Sequence, residues 1–340
     1  MTDLTIGVLG LGLGRHYVAA FAQASAVGRL LVCDTDAARV AEARASQHRI
    51  TAGYTELDAM LEQGRPDAVA VVTPDPLHRA HVERCAEAGC HILVTKPLAN
   101  SLEDGRAIVR AGERHGVTLM VGHERRFRPS ALRIKELLEA GELGEIILIQ
   151  ADRVADRRGA HAVAPWKATA AGGRTPMISY AIHEIDLVRH LVGRPILSVS
   201  GHKNALGTLD FHGHRTEAAL FAFEGGAIGV VSASYEVHWP RQEANTNLTD
   251  EFFRLVGTRG VILGGRVARD GREGWEDLPV DSPRVPSGIH GCAKAFLEVL
   301  VEGKPVPTPG REAFASMAAA FAVEESAETG LPAVPVPADF

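Results

Sequence analysis

Six residues near the N-terminus, Gly10-Leu11-Gly12-Leu13-Gly14-Arg15, stand between an apolar strand pattern at 5–9 and a helical apolar pattern at Tyr17, Val18 and Phe21. A second apolar stretch, Leu30-Leu31-Val32-Cys33, ends in Asp34, 24 residues after Gly10. Strand, glycine turn, helix, strand and acid in this order leave few folds open. Turn glycines let the main chain approach a pyrophosphate, whose charge suits the amide end of the next helix. A carboxylate at the end of the second strand accepts hydrogen bonds from adenosine ribose hydroxyls and repels a ribose phosphate. NAD is therefore expected ahead of NADP. Arg15 takes the place of the third glycine of the strict spacing, with Gly14 one position early. Arg39, in the helix after Asp34, is the expected neighbour of the adenine.

The rest of the chain narrows the class. A length of 340 residues accommodates two domains, and a net charge of -6 gives no basic footprint for a nucleic acid. No apolar run approaches the ~18 residues of a membrane span. The N-terminus enters a strand at once, with Asp3 and no basic stretch, so no signal peptide is expected. The four cysteines, Cys33, Cys85, Cys90 and Cys292, form no CxxC pair. Reduced thiols in a cytoplasmic protein are the plain reading. His183-Glu184 lacks the second histidine of a zinc helix, since Leu187 stands there, and His212 with His214 has no third ligand at suitable spacing. No metal site is expected.

Up to about residue 122 the pattern alternates. Strands are expected at 5–9, 30–33, 68–72, 91–94 and 118–121, with helices at 37–46, 56–62, 77–87 and 102–115. Short apolar strands alternating with helices imply a doubly wound parallel sheet, a Rossmann domain spanning 1–122. After Gly122 the rhythm changes. A helix at 129–139 is followed by strands at 146–154, 196–201, 215–223, 227–236, 251–256 and 260–263, with a hairpin turn at Glu224-Gly225-Gly226. Helices are expected at 182–192, 290–301 and 311–329. Residues 123–340 thus read as an α/β domain with a large open, mostly antiparallel sheet. Ala219, Phe221 and Phe223, with Val230, Ser232 and Ser234, suggest a half-apolar second face that joins copies into a homodimer or homotetramer.

The third strand runs into Thr73-Pro74-Asp75-Pro76-Leu77-His78, and the fourth into Thr95-Lys96-Pro97-Leu98. Both ends lie where open parallel sheets bind ligands. Thr73, Pro74 and His78 are expected to pass beside the cofactor, with Lys96 and Pro97 at its nicotinamide end. These motifs, with Gly172-Gly173 and Ile182-His183-Glu184-Ile185-Asp186, resemble those of the Gfo/Idh/MocA oxidoreductases. The similarity extends to Phe253-Arg254-Leu255-Val256-Gly257 and to Glu325-Ser326, so it covers nearly the whole length.

The resemblance implies hydride transfer from a secondary hydroxyl of a sugar, sugar derivative, cyclitol or related diol. It places Lys96 at the lysine of the Glu-Lys-Pro motif and His183 at the histidine of the Asp-x-x-x-His pattern. Lys96 then stabilises developing alkoxide charge, and His183 accepts the hydroxyl proton, which suits a group titrating near ~6.5. Two positions depart from the pattern: Thr95 replaces the glutamate, and Ser179 stands at the aspartate four residues before His183. Asp186 does not automatically replace that acid. Substrate contacts are expected from Lys96, Arg125, Arg153, Trp166, Ser179 and His183, with Arg157, Arg158 and Lys167 nearby. Two alternative activities remain open at this stage. One is an NAD-retaining glycosidase or epimerase of the same family; the other is a non-catalytic dinucleotide-binding regulator.

Overall fold

A computed structural model describes residues 3–155, 175–207, 213–236, 253–279 and 287–331. Trp166, Arg157, Arg158, Lys167, Gly172, Gly173 and His212 lie outside these residues. The chain forms two compact units, one comprising Met1–Phe127 with Ser282–Phe314, the other Arg128–Asp281 with Ala315–Phe340.

In the first unit six parallel strands follow the order β3-β2-β1-β4-β5-β6. They are β1 (Leu4–Leu9), β2 (Val27–Cys33), β3 (Ile50–Tyr54), β4 (Ala68–Val71), β5 (His91–Thr95) and β6 (Leu119–Gly122). The helices are α1 (Gly14–Ala22), α2 (Ala37–Ser46), α3 (Leu57–Ala59, continued by a π turn at Met60–Gly64), α4 (His78–Glu87) and α5 (Leu102–Arg114). β1 and β4 are buried along their whole length, as a sheet covered on both faces requires. Asp36 caps α2 by accepting from the Ala38 amide, and Ser101 caps α5 by accepting from the Asp104 amide.

Strand β3 escaped the sequence pattern. It is an edge strand with one fully buried residue, Ile50, so its apolar signal is weak. The sequence rhythm places a boundary at 122, yet the compact unit takes in a return segment. On the C-terminal helix α9 (Ser287–Glu302), Cys292, Ala293, Phe296 and Leu297 share a core with Tyr17, Val18 and Phe21 of α1. Sequence distance concealed this packing, because an apolar helix face does not reveal which sheet it covers. All four cysteines are free and buried. Burial pushes the Cys33 thiol up to about 12 and Cys90 up to about 11, which keeps them protonated and unreactive.

The second unit holds an eight-stranded sheet in the order β14-β13-β12-β11-β7-β10-β9-β8. Its strands are β7 (Ile146–Val154), β8 (Ile196–Asn204), β9 (Thr216–Phe223), β10 (Ile228–Ser234), β11 (Arg254–Gly257), β12 (Gly260–Leu263), β13 (Arg266–Arg269) and β14 (Glu276–Asp277). The last two were not expected from the sequence; they are short and largely polar. The ladders are antiparallel except that β10 runs parallel to β7. Helices α6 (Pro129–Glu139), α7 (Pro176–Ser179), α8 (Ile182–Val192) and α10 (Gly310–Thr329) complete the elements.

Alternation along β9, β10 and the second half of β7 separates the two faces of this sheet. Ile149, Ala151, Ala219, Phe221, Phe223 and Val231 are buried on one face, while Leu220, Ile228 and Ala222 are exposed on the other. The expected grouping of Ala219, Phe221 and Phe223 with Val230, Ser232 and Ser234 is corrected here. The first three belong to the buried face, and the last three to its opposite, because Val231 and Ala233 are the buried residues of β10.

Glu217 shares the buried face with Phe221 and is fully buried. Its Oε2 accepts the Met177 amide at 2.7 Å. Burial pushes its carboxyl from an ordinary 4.5 up to about 7, and the nearby Glu324 adds to the rise. The folded chain therefore keeps a proton that the unfolded chain loses above 4.5. Its contribution to stability is complete below that pH and disappears as pH rises through about 7. Urea midpoints measured across this window should fall with pH for the native chain. Glu217→Gln should flatten that slope, and an unchanged slope would contradict the assignment.

Candidate functional site

In the first unit the strand order reverses beside β1, and the chain ends of β1 and β4 meet at this switch point. Gly10 follows β1 with φ +88°. A Cβ there would lie 2.6 Å from the Val72 carbonyl oxygen and 3.1 Å from the Thr73 nitrogen. Glycine is thus required twice, by conformation and by contact. A Cβ on Gly12 would meet nothing within 4 Å, whereas one on Gly14 would press on Val8 at 3.2 Å. The three glycines have different tasks: Gly10 makes the turn, Gly14 seats α1 on β1, and Gly12 leaves room above the main chain. Helix α1 starts after Leu13 with no side-chain cap and no acid in its first turn, so its amide end is suited to an anion. Leu11, Leu13 and Arg15 flank this turn; Leu13 is exposed and Leu11 is buried.

Asp34 is buried, and its carboxylate has structural partners the sequence did not announce. Oδ2 accepts the Leu11 amide at 2.7 Å, and Oδ1 accepts the Asp36 amide at 3.0 Å. The acid therefore ties the end of β2 to the glycine turn itself. Arg39 lies 3.7 Å from Asp34 and 3.5 Å from Asp36, with its side chain half exposed. A dinucleotide fits this donor and acceptor set: open space at Gly12, the amide end of α1, and a fixed carboxylate at the ribose end.

Two loops follow β4 and β5. Thr73 Oγ1 hydrogen-bonds His81 Nδ1 at 2.9 Å. Burial, followed by the neighbouring His78, lowers the pKa of His81. Lys96 is partly buried at the end of β5, and the Lys96–Pro97 peptide is cis. Thr95, at the position of the glutamate in the motif, turns its hydroxyl to the Val71 carbonyl at 3.3 Å. His78 is buried completely, with Nε2 3.0 Å from the Thr73 carbonyl and Nδ1 3.0 Å from the Pro97 carbonyl. Its ring thus meets main chain at both nitrogens. Arg125 is also buried, in a 3-10 turn at Glu124–Phe127, while its neighbour Arg126 donates to the Pro307 carbonyl at 3.0 Å.

In the second unit the short helix α7 ends at Ser179, whose amide donates to the Thr175 carbonyl at 3.0 Å. His183 lies in the first turn of α8 and is 4% exposed. Its neighbours Glu184 and Asp186 are each 1% exposed. Asp186 accepts from the Ser316 hydroxyl of α10 at 3.0 Å, and Ser316 in turn accepts from Arg189 at 2.8 Å. One oxygen of this carboxylate thus helps to hold α8 on α10. Arg153, at the end of β7, is buried with its guanidinium 4.0 Å from the Tyr180 ring centroid and 3.6 Å from Glu184 Oε1. That pairing of a buried cation with an aromatic face and a carboxylate brings Arg153 to the segment that carries Ser179 and His183. Sequence reasoning assigns no role to Glu184 or Glu217, both of which are buried. For Glu217 the signal was present, since period-two alternation puts it on the face of Ala219, Phe221 and Phe223. Among the described residues no cluster of His, Cys, Asp or Glu has metal-binding form, and no helix is long and apolar enough to cross a membrane.

Comparison with known proteins bears on both units. Residues 4–123 match the oxidoreductase family with NAD-binding Rossmann fold, and residues 131–263 match the GFO/IDH/MocA C-terminal domain. The scyllo-inositol 2-dehydrogenase (NAD(+)) of Bacillus subtilis is 35% identical over 262 residues, 76% of this chain and 72% of that protein. The myo-inositol dehydrogenase Hyg17 of Streptomyces leeuwenhoekii is 28% identical over 343 residues, covering 98% and 99%. The structure of the WlbA dehydrogenase from Bordetella pertussis, in complex with NADH and UDP-GlcNAcA, aligns with a TM-score of 0.83 at 25% identity. That alignment covers 99% of this chain and 100% of the other.

The different tasks of the glycines are separable by mutation. Gly10→Ala should lower the melting temperature of the ligand-free protein, because the added methyl meets the Val72 carbonyl. Gly12→Ala should leave that temperature nearly unchanged and weaken NAD binding by at least about tenfold, roughly 1.4 kcal/mol. Calorimetric titration of both variants checks this; normal NAD affinity in Gly12→Ala would remove the glycine turn from the cofactor site.

Proposed function

Because the chain belongs to the Gfo/Idh/MocA oxidoreductase family, we propose that it is an NAD-dependent dehydrogenase of a secondary hydroxyl on a cyclitol, sugar or related diol. The observation that carries this reading is the joint presence of the glycine turn with its fixed Asp34 and the family's Lys96 and His183. A regulator that only senses dinucleotide needs neither of the last two. The inositol dehydrogenases to which the chain is similar support the substrate class.

When bound, NAD+ supplies the hydride acceptor. Gly10, Leu11, Gly12, Leu13, Gly14 and Arg15 form its pyrophosphate turn, and the buried Asp34 carboxylate meets the ribose hydroxyls. A fixed negative charge at this place favours NAD over NADP, since a ribose phosphate would be repelled at close range. Thr73, Pro74 and Pro97 bound its nicotinamide half. His183 accepts the proton from the reacting hydroxyl as the carbon–hydrogen bond breaks with its electron pair. Lys96, the lysine of the family motif, supplies a hydrogen-bond donor and positive charge suited to a developing alkoxide. Ser179 leaves this chemistry to two ionisable groups in place of the three in the family pattern. Arg153 supports the segment of the base through Tyr180 and Glu184.

We also propose that copies associate through the exposed face of the eight-stranded sheet. Leu220 pairs across the ladder with Val230, and Ile228 with Leu148, which makes a continuous apolar strip on that face. A second copy would cover it. Leu220→Asp should shift the species seen by light scattering toward monomer, because an unpaired charge would enter the interface. A native protein that is monomeric at micromolar concentration would overturn this proposal.

Turnover is tested with NAD+ and a panel of inositols, sugars and diols, followed by the near-ultraviolet absorbance of reduced nicotinamide. Lys96→Ala and His183→Ala should each lower kcat by ~10²–10⁴ while NAD affinity stays near the native value. His183→Ala should also flatten the acid limb of the pH–rate profile, since a protonated ring cannot accept the hydroxyl proton. Native turnover in His183→Ala would leave the reaction without its base.

A further inference from the structure

The side chain of His78 connects the two loops that follow β4 and β5. These loops carry Thr73-Pro74 on one side and Lys96-Pro97-Leu98 on the other. Its ring is fully buried in the first turn of α4. Nε2 lies 3.0 Å from the Thr73 carbonyl oxygen. Nδ1 lies 3.0 Å from the Pro97 carbonyl oxygen and 3.3 Å from that of Leu98. The strands before these loops are themselves paired, Val71 of β4 opposite Val94 of β5. Strand pairing stops there, so the loops need another tie. The hydroxyl of Thr95 reaches the Val71 carbonyl at 3.3 Å.

We propose that His78 is a positioning residue for Lys96: its ring ties the lysine loop to the Thr73 loop and so fixes the lysine backbone beside the nicotinamide end of the site. The physical reason lies in the carbonyl groups. Buried main-chain acceptors are costly without donors, about 1–3 kcal/mol each. The acceptors of Thr73 and Pro97 both point at one ring, which no aliphatic residue can satisfy. A ring carrying a proton on each nitrogen donates to both loops at once, and a ring with one proton donates to one. Pro97 has no amide N–H, so its carbonyl is the main-chain polar group through which the ring holds it. A misplacement of about 1 Å in a catalytic group is enough to cost on the order of 10² in rate. His78 thus acts through Lys96 without touching the reacting atoms.

This inference rests on the dehydrogenase reading for its catalytic consequence, but the tie itself is measurable without turnover. Hydrogen–deuterium exchange on the full chain would compare the native protein with His78→Phe, which keeps a ring and loses both ring nitrogens, and with His78→Gln, which retains an amide donor. In His78→Phe, exchange should rise at least about tenfold in peptides covering 73–78 and 95–100, with the rest of the six-stranded sheet unchanged. His78→Gln should fall between the two. A rise in one loop only, in neither, or uniformly across the unit would overturn the proposal.

The kinetic arm uses NAD+ and scyllo-inositol. His78→Phe should lower kcat by about 10–100-fold, and adding it to Lys96→Ala should cost little more than Lys96→Ala alone. Losses that multiply would show His78 acting independently of the lysine and overturn its positioning role. Absence of native turnover on scyllo-inositol would count against that substrate alone, and the exchange result would still decide whether the ring ties the loops.

Discussion

The first unit depends on how closely the main chain at Gly10 passes the end of β4. The Val72 carbonyl occupies the place a side chain on residue 10 would need. This close passage brings the end of β1 and the end of β4 together at the point where strand order reverses. It also sets the entry of α1, which starts four residues later with its amide end uncapped by a side chain. The Leu11 amide then meets Asp34, so the acid that ends β2 is drawn into the same turn. One sterically enforced approach thereby aligns the glycine turn, the helix end and the carboxylate.

Buried polar groups recur at turns and helix starts. Asp34 holds the turn, His78 spans two loops, Glu217 accepts from the start of α7, and Asp186 is bonded to Ser316. In a low-dielectric interior such bonds are strong when complete and costly when broken, so each one specifies a single arrangement of its loop or helix. The same economy explains why nearby polar residues do not all serve as chemical groups. Asp186, seven residues after Ser179, has one carboxylate oxygen accepting from Ser316 of α10.

Much of the architecture was legible because burial imposes periodicity. Helices at 37–46, 129–139 and 182–192 and strands at 146–154 and 260–263 lie where the apolar pattern places them. The glycine turn was legible for a different reason: only glycine tolerates both the positive φ and the contact at residue 10. Weak signals failed where burial is one-sided or short. Edge strand β3 and the polar strands β13 and β14 bury too little to leave a pattern. The half-apolar face was misassembled because alternation gives the parity within each strand. It does not say which parity of one strand shares a face with which parity of another.

Rossmann element order, the glycine turn with its acid, and the motifs that contain Lys96 and His183 were legible in the chain of residues alone. Those follow from local stereochemistry, apolar period and motif spacing, all of which are properties of neighbouring residues. Packing settled that helix Ser287–Glu302 completes the core of the first unit, that Asp34 accepts from the turn at Leu11, and that Asp186 accepts from Ser316 of the last helix. It also decided that His78 faces the carbonyls of two loops and that Arg153 stacks on Tyr180. Each of these is a contact between distant segments, and its partner is chosen by packing and by the need to satisfy buried polar atoms, which no local pattern encodes.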